Sequence, residues 1–158
     1  MKRRFLIAAI LVTGLAGAAQ AQIAPATHYP VEGALAPGAV SSAGPAFSGA
    51  VMAGNTLYVS GMTDSDPQTN QISSDPKVAA TIVLTKVKRA IEKAGLTMDE
   101  LVWVQIFAAD LQEYAAFNEV YRTFFKGPLP ARAFLGTANL LGNAHFEVMG
   151  VAVKQAKP

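Results

Sequence analysis

The stretch from Asp75-Pro76 to Gly95 constrains the fold most, because it carries the start, face and stop of one amphipathic helix. The aspartate is a helix-capping side chain, and proline at the first helical position lacks only an N–H that the helix would leave unpaired. Val78, Ile82, Val87 and Ile91 then recur at helical spacing, and Val83, Leu84 and Ala94 widen the stripe. Lys86, Lys88, Arg89, Glu92 and Lys93 read as the solvent face. Gly95 fits the left-handed position that ends a helix, and Lys93 complements the dipole there. A one-sided helix of this kind needs a second layer to cover its apolar face.

The neighbouring segments supply that layer. Residues 47–52 and 56–61 are short apolar runs around Gly54-Asn55, a hairpin signal, and 64–74 is a polar loop with no face to bury. Residues 101–108 are β-rich, with Val102, Val104 and Ile106 on one face and Trp103, Gln105 and Phe107 on the other. Asp110 and Glu113 form a capping-box-like pair ahead of Tyr114, Phe117, Val120, Tyr121 and Phe124. That second helix stops by Lys126-Gly127-Pro128, and strands over 133–138 and 145–154 follow. The order β-β-α-β-α-β-β predicts an α+β fold, a mixed sheet with two helices on one face. Phe47, Trp103, Phe107 and Phe146 cannot all fit beneath two such helices. The leftover apolar sheet surface predicts a homo-oligomer.

The N-terminus is of another kind. Met1-Lys2-Arg3-Arg4 is basic, Phe5 to Ala18 is almost wholly apolar, and Ala19-Gln20-Ala21 fits a small-x-small cleavage site. We read 1–21 as a secretory signal peptide, too short in its apolar run to be a membrane span. Residues 22–43, rich in Ala, Pro, Gly and Ser, read as an extended leader, and 44–158 as one domain. The whole chain carries a formal +2. Loss of 1–21 removes three of its 13 basic groups against 11 acidic ones, so the mature protein is near −1. No basic stripe remains for nucleic acid, and no membrane contact is expected after cleavage. The absence of cysteine and the presence of only two histidines, His28 and His145, argue against thiolate or histidine metal chemistry. Export without cysteines points most simply to a bacterial periplasm.

Chemistry concentrates at Pro128-Leu129-Pro130-Ala131-Arg132, where an arginine enters a strand among apolar neighbours. Such a guanidinium is either solvated or salt-bridged at a strand end, or held in a cleft as a fork for a carboxylate. His145 reads as surface or turn structure and His28 as part of the leader. Ser48 and Ser60 have no histidine partner placed by sequence.

Val59-Ser60-Gly61, Asp66-Pro67-Gln68-Thr69, the run Phe117-Asn118-Glu119-Val120-Tyr121-Arg122-Thr123-Phe124-Phe125, Pro130-Ala131-Arg132 and Phe146-Glu147-Val148-Met149-Gly150-Val151-Ala152-Val153 together resemble the RidA/YjgF/UK114 family. The resemblance implies a chorismate-mutase-like fold, a homotrimer with clefts at subunit interfaces, and hydrolysis of reactive enamines or imines such as 2-iminobutanoate to 2-keto acids and ammonia. It implies no cofactor and no metal. It gives Arg132 the substrate carboxylate, Gly61 a backbone contact on the nitrogen side, and Asn118 a place in packing or orienting the cleft wall.

The departures from the family pattern are as specific. Phe47 stands at the place of a family tyrosine, and Met62 replaces a frequent glutamine. The carboxylate of deaminating members falls at Met149, with Glu147 two residues earlier on the same strand face, either reaching the cleft or serving as a separate glutamate. Two readings follow: an imine deaminase acting on a small carboxylate-bearing metabolite through Arg132 with Glu147, or a non-catalytic trimer that binds a small metabolite or acts as a chaperone. A third activity that the resemblance brings with it, endoribonuclease, has no basic patch to support it.

Overall fold

In the computed structural model, which describes residues 25–31 and 46–155, the helix expected after Asp75 sets the frame. Helix α1 is Pro76–Lys93, and the Asp75 carboxylate accepts from Lys77 N at 2.8 Å. At its end Gly95 takes φ +79°, its N–H reaches Glu92 O, and Leu96 N reaches Ile91 O, the paired bonds of a Schellman stop. The buried face is centred on Ala79, Ala80, Val83, Leu84, Val87 and Ile91, while Val78 is largely exposed. Lys86 corrects the expected solvent face. Its ammonium donates to the carbonyls of Thr63 and Ser65 at 2.8 and 3.1 Å and so pins the start of the polar loop.

The strands are β1 (Thr27–Tyr29), β2 (Ala50–Ala53), β3 (Thr56–Thr63), β4 (Leu101–Ala108), β5 (Ala131–Gly136) and β6 (Phe146–Val153). They form one sheet in the order β1-β2-β3-β6-β4-β5, antiparallel except for β4 with β5. The parallel pair is connected through α2 (Tyr114–Arg122), as parallel strands require a crossover. The last strand, β6, lies between β3 and β4 and supplies the centre of the sheet. This is the expected α+β arrangement, extended at one edge by β1. Three residues of leader are too few to show a period, yet they pair with β2 from Thr27↔Met52 to Tyr29↔Ala50. The signal peptide read over 1–21 and residues 32–45 lie outside the described residues.

Between helices and sheet the core is built around Leu57, Leu84, Val87, Ile106, Phe117, Phe146 and Val148, all fully buried. Phe146 therefore corrects the expectation that it sits on the leftover face; its ring packs edge-on against Phe117 at 4.8 Å. The fully buried Asp64 ties β3 to β6 by accepting from Phe146 N at 2.9 Å. A register shift between Leu101 and Trp103 turns Val102 outward, against the simple alternation read for this strand. Asp110 caps only a 3-10 turn at 111–113, accepting from Gln112 N, and Glu113 binds His145 rather than completing a capping box. Both groups of the carboxylate–imidazole pair are partly withdrawn from water, which strengthens the hydrogen bond between them.

The sheet face away from the helices is uncovered in the single chain. Cross-strand registers Val51↔Tyr58, Tyr58↔Val151 and Trp103↔Val151 make one apolar row across it, with Phe107 and Met149 beside it. Tyr58 is 54% and Trp103 36% exposed.

Candidate functional site

Arg132 lies on edge strand β5 opposite Val104, on the helix side of the sheet. Pro128 and Pro130 precede it, and the chain just before them is held by Asp99, whose carboxylate accepts from the N–H groups of Lys126 and Gly127 at 2.8 and 3.1 Å. Those two bonds hold the Asp99 carboxyl below the usual carboxylate range. The guanidinium is oriented by helix α2: Nη1 donates to Asn118 Oδ1 at 2.7 Å and Nη2 to the Tyr114 hydroxyl at 3.3 Å. Its centre lies 4.8 Å from the Tyr121 ring and 5.6 Å from that of Tyr114, within cation–π range. A hydrogen bond with Asn118, then the Arg132 charge, lowers the Tyr114 hydroxyl from its ordinary value. Burial pushes the Tyr121 hydroxyl up to about 12, against a smaller opposing pull from Arg132. A cavity of about 170 Å³ opens here, lined by Asn118, Tyr121, Arg122, Leu129, Pro130 and Arg132. The Tyr121 hydroxyl is buried with no partner among the described residues.

Gly61 and Glu147 meet on the opposite sheet face, which Met149 shares. The β3–β6 register shifts between Val59 and Met62, so Ser60 and Gly61 bulge out of the ladder. A Cβ at Gly61 would overlap the Glu147 carboxylate, so only glycine lets that acid lie against the bulge. Met149, one step along β6, lies opposite Gln105. The carboxylate of this strand that meets Gly61 is thus Glu147.

Phe47, 56% exposed, sits where the chain enters β2. The next residue is anchored on both sides. Ser48 O accepts from Ser60 Oγ at 2.6 Å, and Ser48 Oγ lies 2.9 Å from His28 Nδ1. Ser48 does have a histidine partner, brought to it by β1. The pair clips β1 to the segment that precedes β2.

The six residues singled out in the sequence therefore fall into two groups. Arg132 and Asn118 are joined on one face; Gly61 and Glu147 meet on the other, which Met149 shares, with Phe47 linked to them through Ser48 and Ser60. Tyr114 and Tyr121 show in the sequence only as aromatics at helical spacing, and their rings' approach to Arg132 reveals the further role. Arg122 carried no signal beyond its place one helical turn after Asn118. Among the described residues no group of three or more His, Asp or Glu side chains converges as a metal site would require. Nor is any described helix long and apolar enough to cross a membrane. Chemically, one half can fix a carboxylate and the other can place a carboxylate base beside a backbone bulge.

The family model described as Endoribonuclease L-PSP matches residues 38–154. The chain is 36% identical over 108 residues to the 2-iminobutanoate/2-iminopropanoate deaminase of Dermatophagoides farinae, covering 68% of this chain and 84% of that one. It is 33% identical over 129 residues to the mitochondrial protein MMF1 of Saccharomyces cerevisiae, covering 82% and 86%. Among solved structures it is similar to Escherichia coli TdcF with bound serine, with a TM-score of 0.68, 28% identity, and coverage of 81% of this chain and 94% of that one.

Proposed function

This chain belongs to the Endoribonuclease L-PSP family, the RidA/YjgF/UK114 group, and from that premise we propose that it hydrolyses small 2-imino acids to 2-keto acids and ammonia. The observation that carries the reading is the pairing of an oriented arginine with a carboxylate lodged against a bulged glycine. In this reading Arg132 grips the substrate carboxylate bidentately, with Asn118 and Tyr114 holding its plane. The Gly61 backbone meets the nitrogen side. Glu147 takes a proton from water as the oxygen adds to the imine carbon and gives it to the nitrogen, forming the carbinolamine; it then carries the hydroxyl proton to the nitrogen, which leaves as ammonia as the carbonyl forms. Positioning supplies most of what is needed, because imines already hydrolyse readily in water.

Arg132 and Glu147 lie on opposite faces of one sheet, so a complete site requires another copy. We place it in a homotrimer whose subunits bury the row of Tyr58, Trp103 and Val151. We further propose that 1–21 is removed on export to the periplasm, leaving Gln22 as the N-terminus that mass spectrometry of the exported protein should find. Purified protein given 2-iminobutanoate generated in situ should accelerate keto-acid release. Arg132→Ala should reduce kcat/KM by about tenfold or more, the value of a lost charge-assisted contact. Ligand binding without turnover would instead favour the binding-module reading.

A further inference from the structure

Tyr114, Asn118 and Arg122 stand at successive four-residue steps on α2, so they share one helix face. The first two hold the Arg132 guanidinium; the third lines the same cavity one turn further on. Arg122 lies close enough for its charge to act on the Tyr114 hydroxyl. Its helical neighbour Glu119 is engaged by Lys77, and no acidic side chain among the described residues pairs with either arginine. Among the described residues of one chain, the cavity wall therefore carries two cations and no compensating anion.

From this arrangement we infer that the site favours 2-imino acids bearing a second carboxylate, with Arg132 taking the carboxylate beside the imine carbon and Arg122 the distal one. The inference rests on the deaminase reading and adds a substrate class to it. A monoanion leaves the Arg122 charge uncompensated beside the bound ligand; a dianion neutralises both guanidinium groups. Water adds across C=N as before, the distal carboxylate takes no part in bond making, and the products are a keto diacid and ammonia.

The test compares 2-iminosuccinate with 2-iminobutanoate, each generated in situ, on the full chain and on Arg122→Gln and Arg122→Lys. The ratio of kcat/KM for the dianion to that for the monoanion should exceed one in the parent. It should fall about tenfold in Arg122→Gln, the scale of one charge-assisted contact, and recover in Arg122→Lys. A ratio that stays the same in Arg122→Gln overturns the inference while leaving the deaminase reading intact. If neither imine is turned over, the deaminase reading fails, and calorimetry with succinate and butanoate decides the inference separately. Tighter binding of succinate that is lost in Arg122→Gln supports it, and equal binding of the two acids overturns it.

Discussion

Single residues do their work here through close approach. Gly61 is the plainest case: its missing side chain is the space occupied by the Glu147 carboxylate. Gly61→Ala should push that carboxylate out of the bulge, with a fall in kcat well beyond what the change in melting temperature accounts for. Steady-state kinetics beside thermal unfolding checks this, and a fall in stability with unchanged kcat would count against the role of Glu147. Arg132 is similar in kind, since its value lies in a plane fixed by Asn118 and Tyr114 rather than in its charge alone. Sequence spacing left open whether that arginine was solvated or held. The choice depends on residues 14 and 18 positions away on another element, which no local pattern records.

At the scale of elements, the short edge strand does more than its length suggests. β1 brings His28 to Ser48, and Ser48 in turn accepts from Ser60, the residue before the bulged glycine. Gly49 completes the clip, its N–H reaching Tyr29 O at 2.8 Å and its carbonyl accepting from Ser60 N at 3.1 Å. We predict that His28→Ala and Ser48→Ala each destabilise the protein, and that the double variant loses about 1 kcal/mol less than the sum, the coupling of one hydrogen bond. Urea unfolding of the four proteins measures it; strict additivity would show that the two side chains do not cooperate. Helix α1 is the opposite case. Its cap, stripe and stop are all local signals, so its start at Pro76 and the Schellman stop that follows it were legible directly. α2 was legible in existence but not at its start, because Glu113 has a tertiary partner in His145 that outcompetes the reciprocal cap.

For the whole molecule, the uncovered sheet face and the divided site lead to the same requirement. A row containing Tyr58, Trp103 and Val151 is a poor surface for a lone chain, and in the proposed deaminase the Arg132 edge takes its Glu147 face from another copy. Trp103→Glu should therefore dissociate the assembly and abolish activity together, read by sedimentation and by imine turnover; a fully active monomer would contradict the intersubunit site. The sequence by itself determined β2 to β6 and the two helices, their order, and the buried stripe of α1, because caps, turns and apolar periods act within a few residues. It also identified Arg132, Gly61 and Glu147 as candidates through their motifs. Only the tertiary structure decided that β6 fills the middle of the sheet, that Phe146 belongs under the helices, and that Arg132 and Glu147 face opposite ways. Those outcomes depend on strand order and register between distant segments, and a side-chain period of two says which residues share a face but not which face is covered.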